Sequence, residues 1–322
     1  MGINEYILTL QQIKGCGPKS QMAILEYIIN NQHKPADVGE LFDLISYMAG
    51  KRLLKRFPHI ELSDMLGANA VARRIVDQSE SLSIGMINYW DASRYPSILR
   101  GTVDEKGKEC PPLLLYYKGD LSAINRPGVA VIGTREPTPE GTKAGEYFAE
   151  FFASYGFNIV SGLALGCDTC GHKGALKANG VTTAFLAHGL DSIYPPQNED
   201  LAKDIVDNGG LLLSEYPVGA NVNAYRLVER DRLQAGLSRA TIVVQTGVSG
   251  GTNHAATATL VAGKPLYVIE YKQSSLMENP KVAGNQALVA KGGKYLNSKS
   301  DLMEIVSLLR NEKKSNVQQS LW

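Results

Sequence analysis

Val129-Ala130-Val131-Ile132-Gly133-Thr134-Arg135, with Pro139-Glu140 following, is the stretch from which the fold is read. Four apolar residues without a polar interruption, closed by glycine, form a strand that is covered on both sides rather than one with a wet face. The glycine allows close backbone approach, and a helix opening near Pro139 adds unpaired N–H groups at its first turn. The segment is not Gly-x-Gly-x-x-Gly, so the dinucleotide fingerprint is absent, and taken alone it reads as readily as a simple turn.

Moving outward, the same grammar repeats. Apolar runs at 158–160, 183–186, 211–213, 241–244 and 266–269 alternate with helical stretches at 141–155, 169–179, 199–208, near 228–237 and at 252–262. Alternating strand and helix with near-continuous apolar strands predicts an α/β fold, a Rossmann-like doubly wound and mainly parallel sheet, over residues 128–309. Such sheets take ligands at the carboxyl ends of their strands.

Upstream, residues 1–80 read as a small all-helical domain. Met22-Ala23-Ile24-Leu25 with Tyr27-Ile28, and Val38, Leu41, Phe42, Leu44 and Ile45, carry helical spacing. Lys14-Gly15-Cys16-Gly17-Pro18-Lys19 breaks the first two helices, equally as a plain αα turn or as a helix–hairpin–helix. Residues 81–127 read as a connector with the first strands of the core, among them Leu113-Leu114-Leu115-Tyr116-Tyr117. Residues 310–322 read as a polar tail.

The 322 residues are 44% hydrophobic and 20% charged, with a formal net charge of only +1. A polyanion partner would therefore meet a local basic patch, not a global field. No apolar run reaches the roughly eighteen residues of a membrane span, and the N-terminus lacks a signal-peptide pattern. Cysteines at 16, 110, 167 and 170 make no disulfide framework in a chain this long, so a reducing cytoplasm is expected. The Cys167-x-x-Cys170 pair is two ligands short of a structural zinc site; no metal and no cofactor are expected.

Each strand end carries a candidate. Gly133, Thr134 and Arg135 close the first, Arg135 being suited to a bidentate phosphate contact. Ser161 and Gly162 close the second and are natural phosphate donors; Asp168 reads as a helix N-cap or loop anchor rather than a base, and its pairing with His172 as a structural hydrogen bond more readily than a catalytic one. Asn223, Tyr225, Arg226, Arg230 and Arg232, with Arg239, supply charge and a ring for a single-strand groove; the competing reading is a salt-bridged surface helix using Glu229 and Asp231. Ser249-Gly250-Gly251-Thr252, between a strand and a helix, is the strongest signal, an anion nest of small and hydroxyl residues. A groove of phosphate donors with few aromatics predicts little base-edge readout.

Taken in order, these blocks resemble the DNA-processing protein A (DprA/Smf) family: Gly133-Thr134-Arg135, SGLALGCDTCGH at 161–172, HGLDSIYP at 188–195, Ser214-Glu215-Tyr216-Pro217, Arg230-Asp231-Arg232-Leu233-Gln234-Ala235-Gly236-Leu237-Ser238 and the Ser249-Gly250 turn. The likeness runs over roughly residues 85–300, and the helical N-terminus suits the family's sterile-alpha-motif-like domain. It implies a Rossmann-like domain that binds single-stranded DNA, forms a homodimer, loads a RecA-type recombinase in DNA uptake and recombination, and performs no catalysis. It also implies that both cysteines of the C-x-x-C stand at core positions. The sequence departs at Asp231, where the family has Asn, at Gln245, where it has Glu, and at 268–271, where Val-Pro-Gly is usual; the short tail leaves no room for the winged-helix domain of many members. The alternatives are a nucleotide sensor using the same pocket, and a phosphoribohydrolase-like enzyme, whose expected glutamate after the nest is replaced by Asn253-His254-Ala255-Ala256.

Overall fold

The computed structural model describes residues 1–31, 34–54, 57–297 and 300–311. The chain divides into two compact units, Met1–Asp91 with Pro112–Tyr116, and Ala92–Pro111 with Tyr117 onward. The expected polar tail lies, from residue 312, outside the described residues.

The first unit holds α1 (Ile3–Gln12), α2 (Pro18–Asn30), α3 (Val38–Gly50) and α4 (Leu62–Ser81), then β1 (Gly85–Asn88) and the start of β2 (Leu114–Gly119). The turn between α1 and α2 needs Gly15, whose φ of +89° suits only glycine. Asp37 caps α3 by accepting from the Glu40 amide at 3.0 Å. Asn69 of α4 donates to Glu5 and Thr9 of α1, at 3.0 and 3.1 Å, which fixes the pairing of those helices around an apolar interior.

The second unit begins β3 (Gly128–Ile132), α5 (Pro139–Ser154), β4 (Asn158–Ser161), α6 (Cys167–Lys177), β5 (Thr182–Leu186), α7 (Glu199–Asp207) and β6 (Leu211–Ser214). It continues with α8 (Ala224–Leu237), β7 (Ser238–Val243), α9 (Thr252–Val261), β8 (Leu266–Ile269), α10 (Ser274–Met277), α11 (Ala283–Ala290), β9 (Lys294–Leu296) and α12 (Leu302–Asn311). Its strands lie in the order β6-β5-β4-β3-β7-β8-β9, every neighbouring pair parallel. This is the expected doubly wound α/β fold.

Alternation along β3 shows why it had to be buried on both faces. Val129 and Val131 enter one core with Phe148 and Phe152 of α5, Ala175 of α6 and Leu309 of α12. Ala130 and Ile132 enter another with Ala255 and Ala256 of α9 and Leu288 of α11. Cys167 belongs to the first core and Cys170 is also buried, so both cysteines are packing residues. Burial pushes the Cys170 thiol up to about 11 and raises Cys167 further, which keeps both as thiols.

The chain winds from β3 outward to β6, then returns to β7 on the other side of β3. The reversal lies between β3 and β7, and their carboxyl ends open the crevice where ligands of such sheets sit. Among the described residues no helix is long and apolar enough to cross a membrane.

Candidate functional site

A cavity of about 540 Å³ opens at that reversal. Its walls are the loop Gly133–Glu136 after β3, Ala164 and Asp168 after β4, one face of α8, and the loop from Thr246 to Thr252 after β7. A smaller cavity of about 70 Å³ shares Arg135, Ala164, Leu227 and Arg230 with it and adds Gly162, Leu165 and Tyr194.

The β3 loop is pinned by its backbone. The Thr134 amide donates to Gln245 O at 2.7 Å, and the Cys167 amide donates to Thr134 O at 3.0 Å. A Cβ on Gly133 would lie 2.5 Å from Cys167 Sγ and 2.7 Å from Gln245 O, so packing requires this glycine. Gln245 is fully buried and clamps the start of α5. Its Oε1 accepts from the Thr138 amide at 2.8 Å and its Nε2 donates to Thr138 Oγ1 at 3.0 Å. Arg135 stands clear of this clamp, exposed, on the wall of both cavities.

The β4 loop differs from expectation. Ser161 is fully buried and its hydroxyl donates to Val131 O at 2.7 Å, bracing two strands. The Gly162 and Ala164 amides donate to Asp168 Oδ2 at 3.1 and 3.3 Å. The two expected phosphate donors, Ser161 and Gly162, are thus satisfied inside the protein, because the chain folds back over Asp168 before α6 begins. Asp168 is the loop anchor; burial raises its pKa, and Arg230 opposes the rise.

His172 is not the partner of Asp168. It is fully buried, with Nδ1 2.7 Å from Thr182 Oγ1. The Thr182 hydroxyl donates onward to Ile159 O at 2.6 Å, so Nδ1 carries the proton and donates to Thr182. Nε2 faces no hydrogen-bond partner. A second proton would be buried without an acceptor, and burial lowers the pKa to about 3.

The arginines separate. The side chain of Asn223 accepts from the Arg226 amide at 2.9 Å and so starts α8 at Ala224, earlier than the apolar pattern indicates. Tyr225 is 72% exposed. Arg226 lies over the Tyr216 ring, 4.6 Å from its centroid, and donates to Asn221 O. Arg232 makes a forked pair with Glu215 at 2.7 and 2.9 Å and donates to Glu229 O at 2.7 Å. Arg239 donates to Leu309 O. Asn223, Tyr225, Arg226 and Arg232 are outside the crevice lining, so the expected single basic cluster is resolved into a cap, a cation–ring stack and internal ties.

Arg230 reaches the crevice floor but is 5% exposed. Nη1 donates to Gly162 O at 2.6 Å and to Phe185 O, and Nε donates to Asp231 Oδ1 at 3.1 Å. The guanidinium joins the ends of β4 and β5 and neutralises two carboxylates.

Ser249, Gly250, Gly251 and Thr252 do line the crevice, at the first turn of α9. Gly250 has φ of +135°, a conformation that side chains resist. The loop is held from behind by Asn285, whose Oδ1 accepts from the Thr246 amide at 2.9 Å. His254, in the first turn of α9, pairs with Glu105 and is not part of the crevice lining. Sequence reasoning missed Leu227, Val228 and Gln234, and read Asp231 as a surface ion-pair partner and a departure, not as a crevice residue. Their spacing from Ala224 follows one helix face and becomes visible once the Asn223 cap fixes the start of α8.

The sequence profile of the DNA recombination-mediator protein A family matches residues 86–307. Protein Smf of Escherichia coli is 32% identical over 214 residues, which are 66% of this chain and 54% of that protein. The chain thus spans about half the length of that relative. The X-ray structure of DNA processing protein A from Streptococcus pneumoniae superposes with a TM-score of 0.74 at 25% identity, over 94% of this chain and 97% of that one. A structure of DNA processing protein A from Helicobacter pylori, which concerns that protein's single-stranded DNA binding mode, gives 0.59 at 27% identity over 70% and 95% of the two chains.

Proposed function

We propose that this chain, which belongs to the DNA recombination-mediator protein A (DprA/Smf) family, binds single-stranded DNA in the crevice between β3 and β7, without catalysis. The observation that carries the reading is that one cavity is lined both by the exposed Arg135 and by the Ser249–Thr252 nest. A guanidinium and a glycine-rich helix start are phosphate-binding elements of independent origin, and here they line one cavity. A cavity of about 540 Å³ is of the scale of individual nucleotides, which a flexible strand can present one at a time. Leu165, Tyr194 and Val228 at the two cavities are 39%, 42% and 38% exposed, an apolar surface for bases. In the family's setting the chain acts in the cytoplasm as a homodimer and passes the strand to a RecA-type recombinase in DNA uptake and recombination.

The test is a salt titration of binding to single- and double-stranded oligonucleotides of equal length. Single strands are expected to bind much more tightly, with log affinity falling linearly in log salt. Equal affinity for duplex would defeat the crevice reading.

A further inference from the structure

Asp231 places a carboxylate inside this crevice. Its side chain is 13% exposed. Oδ1 is fixed by two donors, Arg230 Nε at 3.1 Å and Gln234 Nε2 at 3.2 Å, both on α8. Oδ2 faces the nest, 3.3 Å from where a Cβ on Gly251 would stand. The carboxylate is therefore aimed before any ligand arrives, with one oxygen directed at the space beside Ser249–Thr252.

An oxygen so placed can accept from an N–H or O–H donor that enters the crevice. Phosphodiester oxygens only accept, and beside an ionised carboxylate they repel it. An internal deoxyribose offers no hydroxyl. The donors of a DNA strand are on its bases, and a carboxylate pairs with the cytosine N4 amino group. Adenine and guanine also present amino groups. Thymine presents a single imino N–H between two carbonyls, which face a carboxylate unfavourably.

We propose that Asp231 is a specificity-determining residue of the crevice, accepting a hydrogen bond from the amino edge of a base in the bound strand and so disfavouring thymine there. The inference rests on the strand-binding reading above and adds one point of base readout to a site otherwise built for the backbone. The charged groups whose fields act on Asp231 are Arg230 on its own helix, Asp168 on α6 and His254 on α9. Burial first, and Asp168 with it, push its carboxyl up to about 6, while Arg230 and His254 hold it down. It is thus an acceptor at pH 7.5 and protonated at pH 5.

The experiment compares oligo-dC and oligo-dT of one length, pyrimidines of equal ring size, by fluorescence anisotropy at pH 7.5 on the full chain. About tenfold tighter binding of dC is expected, the size of one good base contact. In Asp231→Asn, whose amide both donates and accepts, the ratio should collapse towards one. Oligo-dC carrying N4-dimethylcytosine removes the donor from the strand instead, and should fall to the dT level even if the variant folds poorly. Equal binding of dC and dT by the unaltered protein overturns the inference while leaving strand binding intact. A dC preference that survives either change also overturns it. Failure to bind either strand overturns the strand-binding reading and this one with it.

Discussion

The guanidinium of Arg230 fills the space that Gly162 leaves by having no side chain. Nη1 accepts no alternative position easily: it donates to Gly162 O at 2.6 Å, and a Cβ on Gly162 would stand 2.1 Å from it. Gly162→Ala should therefore expel the guanidinium from between β4 and β5. Asp168 and Asp231 would then be buried without their cation. Breaking a buried pair in this way costs about 3–5 kcal/mol. Chemical denaturation measures it, and a loss below about 0.5 kcal/mol, the range of an ordinary surface change, would contradict the packing described.

Arg135 and Arg232 stand for the two fates of the sequence's arginines. Arg135→Ala is expected to weaken single-strand binding by about 1.5–3 kcal/mol, as loss of a hydrogen bond to a charged group does. It should also flatten the log-affinity against log-salt slope by about 0.7, one phosphate contact. Arg232→Ala should leave that slope unchanged and instead cost stability, because it strands Glu215. Salt slopes and melting curves on both variants separate the roles; an exchange of the two phenotypes would reverse the assignment.

The contrast shows what the sequence made legible. Strands β3 to β8 are short apolar runs bounded by helices, so hydrophobic periodicity reveals them and the reversal follows from their order. β9 escaped because two of its three residues, Lys294 and Tyr295, are exposed and leave no apolar run. The place of Ser249–Thr252 on the crevice was legible because glycine and hydroxyl residues gather there at a strand–helix junction, where such sheets open. Ser161 and Arg230 were misread for one reason. Composition says that a hydroxyl or a guanidinium can bind phosphate, but not whether a backbone carbonyl has already taken it, and Val131, Gly162 and Phe185 had. Asp231 was visible as a departure and as an ion-pair partner but not as a crevice residue, because its position on the crevice wall depends on where α8 starts.

His172 gives the chain an acid-sensitive core. The folded protein holds it neutral with a pKa near 3, against an ordinary value of 6.5. The unfolded chain therefore takes up the proton first. The stability this residue contributes is complete above pH 6.5 and is lost as pH falls from there towards 3. Between pH 7.5 and 5 the loss is about 2 kcal/mol, following the protonation of the unfolded chain. Asp231, raised to about 6, acts oppositely: its share is present at low pH and is lost as pH rises through 6. Comparing denaturation at the two pH values in the native chain and in His172→Asn isolates the histidine. The variant is expected to lose less on acidification, and an equal loss in both would place the titrating group elsewhere.

The Ser249–Thr252 loop divides binding from catalysis. Gly250, at φ +135°, has open space around its missing side chain, so Gly250→Val strains the loop without striking the core. Gly251 is different: a Cβ there meets Asp231 at 3.3 Å, and valine presses on the carboxylate. Both changes should abolish single-strand binding, because the amides no longer converge on a phosphate. Strand β7 is buried and its ladder with β3 does not involve these residues, so circular dichroism should be unchanged. His254→Ala should leave binding largely intact, since His254 is paired with Glu105 outside the crevice lining. The enzyme alternative predicts something else: release of free base from nucleoside monophosphates by the native protein, lost in Asp168→Ala. Asp168 is committed to the Gly162 and Ala164 amides, so no such turnover is expected. Detection of free base in the native protein, abolished by that substitution, would make the crevice an active site and displace the binding role from first place.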